Sequence, residues 1–285
     1  MIRKTNYALT LIILVLALGA CGKTEEATTE SAPATEEKAA IQYGEMVLIP
    51  AGEYIIGSKD KADPSDPKEI SNAYPEHKVK VPAFWIDKYE VTGKQYLDFS
   101  AASTYVAEGT AEGKTWRTFF SIDKAYFPVT YITWKDAEAY CKGMGLRLPT
   151  EDEWEAAARG PNGNRYPWGA EWAADKANIA EAGYQNPVTA GQFTQDVSPF
   201  GVHDMFGNVQ EWTSTTYKPY AGNPKAGDAQ YTAGYKVLRG LGSHYKGTKS
   251  LGLWSRTAFP PNFLADFGCR CAKNATPEEA AKAGK

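Results

Sequence analysis

The chain has 285 residues with 31 basic and 34 acidic side chains, a net charge of -3. That balance excludes a global field that favours nucleic acid or an anionic membrane, and a mean hydropathy of -0.45 excludes a polytopic membrane protein. Eight Trp, 17 Tyr and 26 Gly describe an aromatic, loop-rich chain with few long helices.

In chain order, residues 1–20 read as an address. Arg3 and Lys4 give a positive start, Tyr7 to Leu18 is apolar but short for a membrane span, and Leu18-Gly19-Ala20-Cys21 matches a bacterial lipobox. The match implies cleavage before Cys21 and acyl chains on it, hence anchorage in the bacterial cell envelope; an ordinary secretory signal with an incidental Cys is the plainer alternative. If the cell is Gram-negative, the outer membrane is the expected anchor, on its periplasmic or surface side, since Gly22 rather than Asp follows Cys21. Residues 21–40 lack aromatic side chains and read as a disordered tether of roughly 25 Å. The folded part is then 41–274, and 275–285 reads as a polar tail.

Met46 to Gly52 predicts a strand running into a turn. Tyr54 to Gly57 and Lys78 to Ile86 predict two more strands, on either side of a polar loop. Thr92 and Gln95 form a capping-box pattern ahead of Tyr96 and Phe99. Residues 100–127 are irregular and aromatic. A helix is predicted over Lys135 to Met144, with Thr133 as cap and Gly145 as stop. Another follows Pro149: Thr150 as cap, Glu153 three residues on, and Gly160 as stop. From 161 to 274 the pattern is short β segments between Gly, Pro and Asn.

The stretch from Arg147 to Gly160 resembles the signature of the formylglycine-generating enzyme family, the sulfatase-modifying factors. So do Val47 to Gly57, Glu90 to Phe99, Trp134 to Cys141, Tyr166 to Gly169, Asp204 to Trp212, Arg239-Gly240 and Phe267 to Cys271. The resemblance implies a single compact α+β domain with little regular secondary structure, similar to the C-type lectin fold. It also implies a disulfide between Cys141 and Cys271, which leaves Cys269 as a buried thiol; a reactive Cys-x-Cys centre at 269 and 271 is the alternative.

Catalytic members of that family hold copper on two cysteines a few residues after an Arg-Gly-Gly-Ser-Trp motif, because soft thiolates select Cu(I). Here the matching stretch is Arg239-Gly240-Leu241-Gly242-Ser243-His244-Tyr245, with no cysteine anywhere between Cys141 and Cys269. Copper is therefore not expected. Ser243, His244, Tyr245 and Trp254 are the candidates for a surviving groove. The family's second calcium site maps onto Asp204, Gly207, Val209 and Glu211, an oxygen donor set that suits a hard cation. The first maps onto Asn178 and Ile179, where an expected acidic ligand is lost or replaced by Glu181. His77, His203 and His244 fit no metal-binding spacing. Two functions remain open. One is a surface-anchored, non-catalytic module for an envelope protein or peptide. The other is an oxidoreductase that forms formylglycine, or a related product, without the cysteine pair.

Overall fold

The computed structural model describes residues 41–62, 71–224, 233–246 and 251–283. The expectations for the signal segment, Cys21 and the tether lie outside the described residues.

Three small antiparallel sheets carry the fold. β1 (Met46–Ile49), β4 (Phe84–Asp87) and β8 (Ala272–Asn274) form the first, in the order β1-β4-β8. β2 (Gly52–Ile56) pairs with β3 (His77–Val81). β5 (Glu211–Thr216), β6 (Lys236–Arg239) and β7 (Arg256–Phe259) form the third. The segment Lys78 to Ile86, expected as one strand, is two. Pro82 lacks a backbone donor, so the ladder stops there; β3 stays with β2 while β4 crosses to β1 and β8.

The helices form where local chemistry caps them. α1 (Gly93–Ala102) follows Thr92, whose side chain and that of Gln95 make a complete capping box. A short α2 (Trp116–Phe119) lies in the stretch expected to be irregular. α3 (Trp134–Gly143) starts with a Thr133/Asp136 box, one residue earlier than predicted, and Gly145 takes the left-handed φ of 74° that follows its end. α4 (Glu151–Arg159) starts with the Thr150/Glu153 box and stops at Gly160, φ 67°. The expected polar tail contains α5 (Pro277–Ala283). Thr276 and Glu279 exchange hydrogen bonds there, and Pro277 sits where a missing N–H does no harm.

Two apolar clusters fill the interior. One gathers Trp154, the alanines of α4, Tyr166, Met205 and Phe206. The other gathers Tyr96, Phe99, Trp116, Tyr140 and Trp212 around the cysteines. Trp154 and Trp212 are fully buried. Cys141 of α3 and Cys271, just before β8, form a disulfide across 130 residues, with Cα atoms 5.6 Å apart. Cys269 is a buried free thiol.

Closing so long a loop restricts the unfolded chain strongly. Replacing both Cys141 and Cys271 by Ala is expected to lower stability by about 2–5 kcal/mol. Urea unfolding of the variant beside the wild type checks this; an unchanged midpoint contradicts it.

Candidate functional site

The stretch Asp204–Glu211 is a tight turn feeding β5. Asp204 (φ 57°) and Asn208 (φ 78°) occupy the left-handed region, which Asp and Asn tolerate better than other side-chain-bearing residues. Gly207 has no substitute, because a Cβ there would lie 2.7 Å from the Asn178 backbone. The two stretches expected to bind calcium therefore pack directly on each other. Asn208 ties them together: its Oδ1 accepts from Val188 N–H at 2.9 Å and Asn178 Nδ2 at 3.0 Å, and its Nδ2 donates to Glu90 Oε2 at 3.1 Å. Asp196 accepts from the N–H groups of Phe206 and Gly207. Asp204 accepts from Gly191 N–H.

This turn is rich in buried negative charge. Burial pushes the Asp204 carboxyl up to about 6. Glu90 and Asp196 are raised well above the ordinary range, by burial first and then by the Asp204 charge. Arg270 is the guanidinium that opposes these shifts, and it is already committed: Nε and Nη2 each donate to Glu211 at 2.7 Å. Trp154 Nε1 donates to the same carboxylate at 2.8 Å. Asn178 Oδ1 and Glu90 Oε1 are buried without a hydrogen-bond partner. Chemically, the oxygens of Asn178, Asp204 and the turn carbonyls suit a hard cation. Geometrically, Asn178 and Asp204 fit better than Glu211, whose oxygens serve Arg270 and Trp154. Among the described residues, no three His, Cys, Asp or Glu side chains gather into a metal-holding group.

The four groove candidates separate. Ser243 is buried, its N–H donates to Asn208 O, and its Oγ has no partner. His244 is exposed, with Nδ1 3.0 Å from Asp266 Oδ2. Tyr245 and Trp254 line a pocket of about 310 Å³ together with Gln210, Leu241, Leu251 and Arg256. Trp254 is 9% exposed, and two guanidinium groups lie near its ring, Arg159 at 5.3 Å and Arg165 at 5.0 Å from the centroid. Residues 247–250 of this segment lie outside the described residues.

Sequence reading missed Gln210 and Arg256. Gln210 stands between two expected calcium ligands, and Arg256 belongs to no motif, so only the fold brings them to Tyr245 and Trp254. Trp168 and Trp172 lie elsewhere, packed on Tyr166 and Phe206, and Trp212 is core. His77 rests against Tyr220, and His203 against Tyr89. Burial pushes the Cys269 thiol well above its ordinary range, which makes it a poor nucleophile.

Residues 31–275 match the family described as the sulfatase-modifying factor enzyme 1-like domain. The chain belongs to that family. The inactive C-alpha-formylglycine-generating enzyme 2 of Mus musculus is 30% identical over 222 residues, which is 61% of this chain and 70% of that protein. Hercynine oxygenase of Mycolicibacterium smegmatis is 30% identical over 234 residues, 69% of this chain and 54% of that protein. The chain spans 42% of another relative, from Bacillus subtilis. PvdO from Pseudomonas aeruginosa shares the fold, with a TM-score of 0.61 at 24% identity over 83% of this chain and 100% of that one. No cysteine lies between Cys141 and Cys269, the span that supplies most of the pocket lining.

A titration prediction follows from Asp87, the last residue of β4. Burial pushes its carboxyl up to about 7, against the lowering effect of the Cys271 N–H bond and of Arg270. The folded state thus holds this proton more tightly than the unfolded chain does. Stability from this group is complete below the ordinary carboxylate range and is lost as pH rises towards 7, at most about 1.4 kcal/mol per pH unit. Relative to Asp87→Asn, the wild type should lose stability between pH 5 and pH 8. Melting curves of both proteins across that range test it; parallel curves contradict it.

Proposed function

We propose that this chain is a lipid-anchored protein of the bacterial envelope whose sulfatase-modifying factor domain binds a protein or peptide partner without formylglycine chemistry. The observation that carries the reading is the fate of the thiols. Of the cysteines in the folded part, Cys141 and Cys271 are joined and Cys269 is buried in the apolar cluster that holds Phe267 and Trp212, out of reach of a surface substrate. A copper-thiolate centre needs accessible, deprotonated sulfur, and the pocket beside Tyr245 and Trp254 has none among its lining residues. That one relative is called inactive supports the same reading.

In this reading Cys21 carries the acyl chains, residues 21–40 hold the domain off the membrane, and Tyr245 and Trp254 meet the partner. Calcium at Asn178, Ile179, Asp204, Gly207 and Val209 would be structural, with Glu211, the other expected ligand, staying on Arg270 and Trp154: it would neutralise the buried carboxylates that Arg270 alone does not balance. An oxidase acting on a protein by a route without the cysteine pair is the second reading. It is favoured by relatives named for oxygenase chemistry.

Incubating the protein with copper, dioxygen and a peptide bearing the sulfatase cysteine motif separates the two. The binding reading expects an unchanged thiol mass and crosslinks to an envelope protein through the Tyr245–Trp254 face; formylglycine in the peptide would sink it. For the metal, chelator treatment should lower the melting temperature, and readdition of calcium should restore it. A transition indifferent to both excludes structural calcium. For the anchor, Cys21→Ser should shift the protein from the detergent phase to the aqueous phase in a phase-partition assay.

A further inference from the structure

The aromatic stretch after α1 builds a second pocket, which shares no lining residue with the one beside Tyr245 and Trp254. It encloses about 230 Å³. Its rings come from α2 and the residue after it, as Trp116, Phe119 and Phe120, and from Phe127 and Tyr131. Several are held in place. Trp116 is buried and meets Phe120 edge-on, with centroids 5.7 Å apart. Gly93 leaves room for Phe120, since a Cβ there would lie 2.8 Å from its ring. Phe119 and Tyr131 stack, with centroids 3.4 Å apart and planes inclined by 10°. Tyr131 does so from the left-handed region, φ 56°, while its N–H donates to Ala265 O at 2.9 Å. A bulky residue is strained there; such strain persists where the surroundings over-determine it, and it collects at ligand clamps. Phe119 is still 43% exposed, so the stack has surface left for a further ring to cover.

Charge narrows the ligand. The one charged side chain in the lining is Lys124, with no acid beside it. Its Nζ lies 5.9 Å from the centroid of the Phe127 ring. Asp123, next in sequence, is exposed, and its carboxyl is held below the ordinary range first by a hydrogen bond from Ser121 and only last by Lys124. Lys124 is therefore open to an anion. Five rings alone would suit a quaternary ammonium, but the lysine opposes one. A lysine is a point charge, which a carboxylate matches better than a phosphate monoester with nearly twice the charge. Thr130 and Asn186 add neutral donors to the same lining. The volume is below the roughly 300–1,000 Å³ that holds a drug-sized ligand, so it suits one ring with its acid.

We propose that this pocket binds an aromatic carboxylate, with the ring against the Phe119–Tyr131 stack and the carboxylate at Lys124. The site is separate from the partner-binding face above and does not depend on that reading.

Ligand-observed NMR on the full chain tests it with one scaffold and three head groups: hydrocinnamate, hydrocinnamamide and phenylpropylamine. Hexanoate serves as an acid without a ring. Hydrocinnamate should bind about fivefold tighter than its amide at low ionic strength, the scale of one exposed ion pair, and the gap should close with added salt. The amine should bind more weakly than the amide, and hexanoate more weakly than hydrocinnamate. Lys124→Met, at an exposed position, should erase the preference for acid over amide while leaving amide binding in place. Phe119→Ala should weaken all three phenyl ligands. The tripeptide Gly-Gly-Phe, beside its C-terminal amide, separates the sources of the acid: if the tripeptide binds at least as tightly as hydrocinnamate, the ligand is a peptide terminus, and if more weakly, a free acid. Binding of no phenyl ligand, an amide or amine that binds as tightly as the acid, equal binding of hexanoate, or an acid preference unchanged in Lys124→Met overturns the proposal.

Discussion

Much of the structure depends on how one buried guanidinium is compensated. Arg270 is fully buried. It bonds Glu211 twice and reaches the carbonyls of Asp87 at 3.0 Å and His203 at 2.9 Å. Those partners belong to the start of β5, the end of β4 and the acidic turn, so one side chain fixes three parts of the chain. Trp154 adds α4 through its indole N–H on the same carboxylate. Removing either charge would strand the other in the interior, a loss on the order of 3–5 kcal/mol, whereas the intact pair contributes less than its contacts suggest, because two ions have left water. The pair specifies an arrangement more than it adds stability.

A second buried network stands under the pocket and follows the same logic. Glu155 of α4 pairs with Arg239 of β6 and, at 2.8 Å, with Arg159. It also accepts from Gly57 N–H. Arg239 in turn donates to the carbonyls of Trp254 and Ser255. The signature helix therefore does more than mark the family: its acidic face holds the backbone that carries Trp254. The signature helix and the Trp254 segment are coupled through Arg239.

Legibility in the sequence followed the range of each interaction. The capping boxes of α1, α3 and α4 are made within four residues, so Thr92, Thr133 and Thr150 announced their helices. The same box at Thr276 and Glu279 sits in an Ala, Glu and Lys composition that describes a solvated tail equally well. The split at Pro82 was readable in principle, since a missing donor ends a ladder whichever partner it faces. The Cys141–Cys271 bridge was legible through family resemblance alone; spacing gives no pairing over 130 residues. The pocket was half legible. Tyr245 and Trp254 lie in the stretch that the family resemblance singles out, but Gln210 and Arg256 join them only after β5, β6 and β7 have paired. Ser243 keeps its motif position yet is buried, because its N–H is needed by Asn208.

The contacts of the Trp254 ring with Arg159 and Arg165 bear on how anything binds there. A tryptophan held by cation–π contacts on its ring, with its own carbonyl bonded to Arg239, has little rotamer freedom left to lose. Its ordering was completed when the chain folded, so a ligand meets a wall already set. Association at this wall should then resemble docking onto a rigid surface. Differences among ligands would appear mainly in how long they stay rather than in how fast they arrive.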